Sequence, residues 1–306
     1  MRPFLLKISI YMSVLLVIHL LALLSFPADH EPFYKRFTSG KQTMLIVGSS
    51  RAAQGLIPEV FNKKLENTAI YNYSFTKSTS PFGEVYLNSI KKKLEKPGSV
   101  SKPLFLIEVN PWTLSTEIVE SKEFFSEESG ILASVSLNNL NPNPLYFIST
   151  YGKGWGNMFL EKVDSTYVLH DDGWLEVNAP LDSIQRVRNT ESKINDYRND
   201  ELIRSIKSPD RLNSLKKTIS FFEQRNAEIY LIRLPIHEDL LKIEEDYFPD
   251  FDELLMSLTN SNTLYINLKD ERENVIFNDG NHLNKVSSKI ISERIAEIIL
   301  EKRDLE

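Results

Sequence analysis

The chain contains no cysteine in its 306 residues. That one absence excludes disulfide scaffolds, thiolate zinc sites, iron–sulfur clusters and a cysteine nucleophile together. It also lacks a basic excess: 36 Lys plus Arg stand against 42 Asp plus Glu, a formal net charge of -6, so nucleic acid is not expected as a partner. Histidine is scarce, at five: His19, His30, His170, His237 and His282. His170 is followed by Asp171 and Asp172 but has no second histidine cluster at ligand spacing, so no metal site is expected. Gly152, Gly154 and Gly156 do not lie between a strand and a helix in the dinucleotide pattern, and no Walker loop occurs, so no nucleotide cofactor is expected either. There is no internal repeat and no low-complexity tract. With 42% hydrophobic and 25% charged residues, the composition is that of an ordinary folded chain.

What is present is unevenly spread. Residues 8–26 (ISIYMSVLLVIHLLALLSF) form an almost uninterrupted apolar run of the length that crosses a bilayer as a helix. The run has no small-x-small cleavage site before Pro27, which favours a retained anchor over a cleaved signal peptide. Arg2 and Lys7 precede it, so the positive-inside tendency leaves the N-terminus in the cytosol and the rest of the chain outside, with Lys35, Arg36 and Lys41 acting against that orientation. The expected organisation is an anchor over 1–27, a linker over 28–43 and one α/β domain over 44–306. The expected location is the cytoplasmic membrane, crossed once, with the large domain extracytoplasmic.

In the domain, residues 44–47 (MLIV) and 104–109 (LFLIEV) read as buried strands, as do 227–235 and 263–268. Helical spacing of apolar residues marks 81–96, 210–225, 251–258 and 287–301, the last expected to start at a capping serine. Strands alternating with helices predict a mostly parallel sheet covered on both faces. Residues 113–204 break the alternation, with an Asn-Pro-Asn-Pro turn at 141–144, the glycines at 152–156 and an Asp-Asp-Gly-Trp turn at 171–174. They are expected to form an irregular insertion over one end of the sheet. Trp112, Trp155 and Trp174 are expected as buried aromatic anchors ahead of sugar-stacking residues.

The chemistry narrows to serine and histidine. His282 lies in Phe-Asn-Asp-Gly-Asn-His-Leu-Asn (277–284), three residues after Asp279 and directly before the last helix. A carboxylate there can take the imidazole Nδ1 hydrogen and leave Nε2 as a base. A hydroxyl is needed at the carboxyl end of a strand, where clefts of open α/β sheets form. Ser50 qualifies, in Gly48-Ser49-Ser50-Arg51 after the first strand, with the alternative that it merely caps a helix. Arg51, mismatched with a helix N-terminus, is a candidate to meet an anion or substrate, with a purely structural role as the alternative. Arg233 and His237, around a strand end, are candidates to line the same cleft.

Taken together, Gly48-Ser49-Ser50 and Asp279-Gly-Asn-His282 resemble the first and last blocks of the SGNH (GDSL-like) hydrolase superfamily, with Ser49 in place of the block's Asp. The resemblance implies a three-layer α/β/α flavodoxin-like sandwich, Ser50 as nucleophile, Asp279 as orienting acid and His282 as base. Ser74, in Asn-Tyr-Ser-Phe-Thr-Lys-Ser (72–78), stands where the family carries an oxyanion glycine. Asn110 stands at the Asn of its Gly-x-Asn-Asp block, without that Gly and Asp. An Asn110 side-chain amide paired with the Arg51 backbone N–H would form the oxyanion hole. The variant pattern is similar to membrane-anchored bacterial members associated with cell-surface polysaccharides. It implies an esterase or O-acyltransferase acting on acyl, typically acetyl, esters of a polysaccharide or lipid-linked glycan, with a membrane-bound acyl-transfer partner and no cofactor. The departures at the middle blocks favour a second reading, a non-catalytic binding or assembly subunit of a surface-polysaccharide machinery.

Overall fold

A computed structural model of the chain describes residues 2–24, 33–120, 122–134, 138–141, 143, 145–146 and 166–304. His30 and the Gly152–Gly156 run with Trp155 lie outside the described residues. The first element is an apolar helix, α1 (Arg2–Leu24), long and apolar enough to cross a membrane by length and composition, with none of its apolar window buried against the rest of the chain. Beyond it, the segment expected as a linker is packed from Tyr34 onward. A short helix, α2 (Tyr34–Thr38), buries Tyr34, Arg36 and Phe37 in the domain.

Five strands form one parallel sheet: β1 (Met44–Val47), β2 (Ile70–Asn72), β3 (Leu104–Glu108), β4 (Glu228–Arg233) and β5 (Thr263–Asn267), in the spatial order 2-1-3-4-5. Their registers align Leu45 with Tyr71, Ile46 with Leu106, Ile107 with Leu231 and Ile232 with Ile266. The central strands are buried throughout, which is why they read as continuous apolar runs rather than as alternation.

Period-two geometry sends alternate residues to opposite faces. Leu45, Val47, Phe105, Ile107, Ile229 and Leu231 pack on one side, beneath α2, α5 (Glu84–Lys93) and α7 (Pro209–Glu223). Ile46, Leu104, Leu106, Tyr230 and Ile232 pack on the other, against α3 (Ser50–Gly55), α4 (Pro58–Lys64) and the terminal helix α10 (Lys285–Arg303). The cap of α10 is Asn284, which accepts from the Ser287 N–H, rather than the expected serine.

Among its described residues, the stretch expected to be irregular carries regular elements of its own. Ser115–Val119, Lys122–Phe124 and Ser205–Lys207 form a three-stranded antiparallel sheet, and Tyr167–Leu169 pairs with Leu175–Val177 in a hairpin. Helix α6 (Ser183–Asp196) starts at an Asp182–Gln185 capping box. Two further helices, α8 (Glu238–Tyr247) and α9 (Phe251–Met256), follow β4.

Candidate active site

β1 and β3 are neighbours in the sheet, and the chain leaves them toward opposite sides. At this reversal of strand order, open α/β sheets leave a crevice beyond their carboxyl ends. Gly48 follows β1 with φ +152°, and a Cβ there would sit 2.8 Å from both Cβ and Oε2 of Glu108 at the end of β3. Only glycine lets the backbone cross so close to that side chain. Glu108 is fully buried, and its Oε2 accepts from the Ser49 N–H and the Ser49 hydroxyl, both at 2.8 Å. Ser49 is in turn the cap of α3, accepting from the Arg51 N–H at 3.3 Å. Ser49 rather than Ser50 is thus the structural cap, and Ser50 begins the helix with its hydroxyl directed elsewhere.

That hydroxyl lies 2.8 Å from His282 Nε2. His282 Nδ1 lies 2.9 Å from Asp279 Oδ2 and 3.1 Å from Oδ1. With the Nδ1 hydrogen on the carboxylate, Nε2 is the acceptor for the Ser50 hydroxyl. Asp279 Oδ1 also accepts the His282 and Asn281 backbone N–H groups at 2.8 and 3.0 Å. Burial pushes the Asp279 carboxyl up, but the His282 ring and these N–H donors outweigh it and hold the group down to about 2. The three residues are separated by 229 and 3 positions in the chain and meet because the last loop returns to the end of β1.

The loop is braced from outside. Gly280 adopts φ +76°, where a Cβ would lie 2.8 Å from Thr190 Cγ2 of α6 and 3.2 Å from His237 Cβ. The His237 N–H donates to the Gly280 carbonyl at 2.8 Å. Asn281 Oδ1 accepts from Arg51 Nε and from the Tyr197 hydroxyl, each at 2.9 Å. Arg51 further donates to Glu244 of α8, and both side chains are almost wholly buried. Burial works against the Arg51 charge, and its neighbours, Glu244 foremost with Tyr197 and Glu108, together more than offset it, raising Arg51 above its ordinary value. Burial also raises the Tyr197 phenol, keeping it protonated as a donor.

Several sequence expectations are therefore corrected. Arg51 does meet an anion, but one of the chain itself, Glu244, rather than a substrate: it is 5% exposed and ties α3 to α8 and to Asn281. Asn110 does not offer a free amide. Its Nδ2 donates to Glu108 Oε1 at 2.6 Å and Ser49 Oγ at 3.1 Å, while Oδ1 accepts from the Trp112 and Thr113 N–H groups, capping the turn Pro111–Leu114. Ser74 is fully buried. Its N–H donates to Asn72 Oδ1, its hydroxyl lies 3.5 Å from the Ile46 carbonyl as a donor and its own carbonyl accepts from Arg36, so its donors are engaged inside the fold. Arg233 is also buried, bonded to Asp252 at 2.6 Å and lying 3.8 Å from Glu244, so it does not line the cleft. His237 caps α8 by accepting from the Asp239 N–H at 3.3 Å. It lines a groove of about 500 Å³ with Thr190, Ile194 and Phe277, behind the Asp279–His282 loop.

Trp112 stacks on Tyr247 and meets Tyr197 edge-on, both with centroids 5.0 Å apart, as a buried anchor. Trp174 stacks on His170 and donates to the Gln54 carbonyl, which fastens the hairpin to α3. Family models and curated proteins give no match to this chain. Three residues of the site escaped the sequence reading. Glu108 carried one signal, an acid closing an otherwise apolar strand; Tyr197 and Glu244 carried none, since their partners are 146 and 193 residues away.

Proposed function

We propose that this chain is an extracytoplasmic serine esterase or O-acyltransferase of SGNH (GDSL-like) type, held at the cytoplasmic membrane by α1 and acting on acyl, typically acetyl, esters of a cell-surface glycan. The observation that carries the reading is the continuous hydrogen-bond chain from Ser50 through His282 to Asp279 at the end of β1. The strand order 2-1-3-4-5, which is that of flavodoxin-like sheets, supports the fold part.

In the reaction, His282 Nε2 takes the Ser50 proton as Oγ bonds to the ester carbonyl carbon. The tetrahedral intermediate collapses with cleavage of the bond to the glycan oxygen, which receives the proton from His282. Water or a second sugar hydroxyl then attacks the acyl-enzyme, giving a free acid or a new ester and restoring the Ser50 hydroxyl. Asp279, held ionised far below neutral pH, orients the ring and stabilises the imidazolium. With the Asn110 amide engaged by Glu108 and Ser49, the Ser50 amide at the first turn of α3 is assigned as the oxyanion donor.

The same engagement of Asn110 favours the second reading, a binding or assembly subunit. Turnover of an aryl acetate and acetate release from an O-acetylated glycan separate the two. Turnover that His282→Ala reduces by ~10²–10⁴ supports the enzyme. A folded wild-type protein that releases no acetate from either supports the binding subunit.

A further inference from the structure

The point at which the chain joins the domain lies at the edge of the sheet that carries Ser50. Phe33, just before α2, packs its ring on Phe75 with centroids 5.5 Å apart. Phe75 follows β2 and donates its N–H to the carbonyl of Gly48, two residues before Ser50, at 3.3 Å. Arg36, fully buried, fastens the same corner by donating to the carbonyls of Ser74 and Gly173. From there α2 descends to the opposite edge, where Lys93 donates to the Ser39 carbonyl at 2.7 Å and the Glu95 N–H to the Gln42 carbonyl at 2.8 Å, just ahead of β1.

The lengths rule out one orientation. α1 ends at Leu24, so nine residue steps reach Phe33, a span of at most ~30 Å at 3.3–3.6 Å per residue. A domain of this size has a radius of gyration of about 18 Å, or roughly 45–50 Å across. A tether that starts in the bilayer and joins the Ser50 edge is too short to pass around the domain and hold that edge outermost. The apolar surface of α1, unburied by the rest of the chain, supplies the bilayer as the occupant.

We infer that the carboxyl edge of the sheet, with Ser50 and His282, faces the membrane, and that the ester it processes is carried on a glycan anchored in that bilayer by a lipid. This rests on the esterase and anchor readings above and narrows their substrate to the lipid-borne form. The absence of native cysteine makes the test direct, because any introduced thiol takes a unique label.

Full-length Ser78→Cys, at the carboxyl edge, is labelled with a donor dye alongside Ser99→Cys and Ser261→Cys, exposed positions before β3 and β5 at the amino edge. Each is reconstituted in phosphatidylethanolamine–phosphatidylglycerol vesicles bearing an acceptor lipid. Transfer from position 78 at least twice that from 99 and 261 is expected; equal or greater transfer from the amino edge overturns the orientation. Protein that fails to float with the vesicles overturns it too, through the anchor.

For the substrate, a rigid helical insert of ~20 residues after residue 28 lifts the domain by ~30 Å. It is expected to cut turnover of a lipid-anchored acetylated saccharide at least tenfold and leave aryl acetate turnover unchanged. Undiminished turnover of the lipid-anchored ester overturns the substrate assignment. Absence of aryl acetate turnover from the uninserted protein contradicts the esterase reading instead, and leaves the transfer ranking to decide the orientation.

Discussion

On the His282 side of Ser50, polar atoms form a line that ends on the serine hydroxyl: Asp279 to Nδ1, Nε2 to Oγ, at 2.9 and 2.8 Å. On the Asn110 side, the polar atoms close on one another. Asn110, Glu108 and Ser49 exchange every strong bond among themselves and with the local backbone, and Arg51 is held by Glu244, Tyr197 and Asn281. In the proposed function the first arrangement presents an activated group to a substrate, and the second holds the backbone that carries it. Burial, rather than residue type, separates the proposed reactive groups from the supporting ones: Arg51 and Asn110 are at 5% and 2% exposure, and Ser50 is only partly buried.

The sharpest way to break that contrast is Glu244→Gln, which leaves the Arg51 charge buried without its carboxylate. The expected loss is ~3–5 kcal/mol in urea unfolding, and Arg51→Met combined with Glu244→Met is expected to recover most of it. A loss below ~1 kcal/mol would mean that Arg51 reaches water and is not a brace.

A smaller effect is expected from Asn110→Ala, which leaves Glu108 and the Pro111–Leu114 turn short of partners. Stability should fall by ~1–3 kcal/mol, while the aryl acetate rate of the folded protein stays within about tenfold. A drop of 10²–10³ at intact fold is the signature of a lost oxyanion donor and would return Asn110 to the reactive side.

The effect smallest per step concerns a third buried cation, remote from Ser50. Lys93 is wholly buried, bonded to the Phe37 and Ser39 carbonyls, and burial holds its amine down to about 7. Its folded value lies below its unfolded one, so between pH 7 and about 10 the unfolded chain binds more protons and stability rises with pH, by at most ~1.4 kcal/mol per pH unit. Chemical unfolding at pH 7, 8 and 9 is expected to show that rise in the wild type and to lose it in Lys93→Met. A wild type with no rise over that range would contradict the buried amine.

The reactive half was legible because its signals are local. Asp279 and His282 are three residues apart, and Gly48-Ser49-Ser50 follows a four-residue apolar run that cannot be mistaken for surface. Four of the five strands were legible for the same reason. β2 has only three residues, too few for any period, and α6 and α8 are polar helices whose buried stripes are narrow. α2 was read as linker because Tyr-Lys-Arg-Phe-Thr looks solvated until Arg36 finds two backbone carbonyls, one of them 137 residues on. The supporting half was misread because it depends on pairings across the fold. An arginine at a helix start argues for an anion, and the anion is Glu244, part of the chain itself. Ser74 and Arg233 end up inward for reasons that only the packed sheet contains.

The central claim is that Ser50 is a nucleophile made reactive by His282. It is tested most directly by treating the purified protein with a fluorophosphonate probe and mapping the adduct by peptide mass. The account predicts one adduct, on Ser50, absent in Ser50→Ala and slowed by ~10²–10⁴ in His282→Ala. An adduct that persists in Ser50→Ala, or equal labelling in His282→Ala, would contradict it.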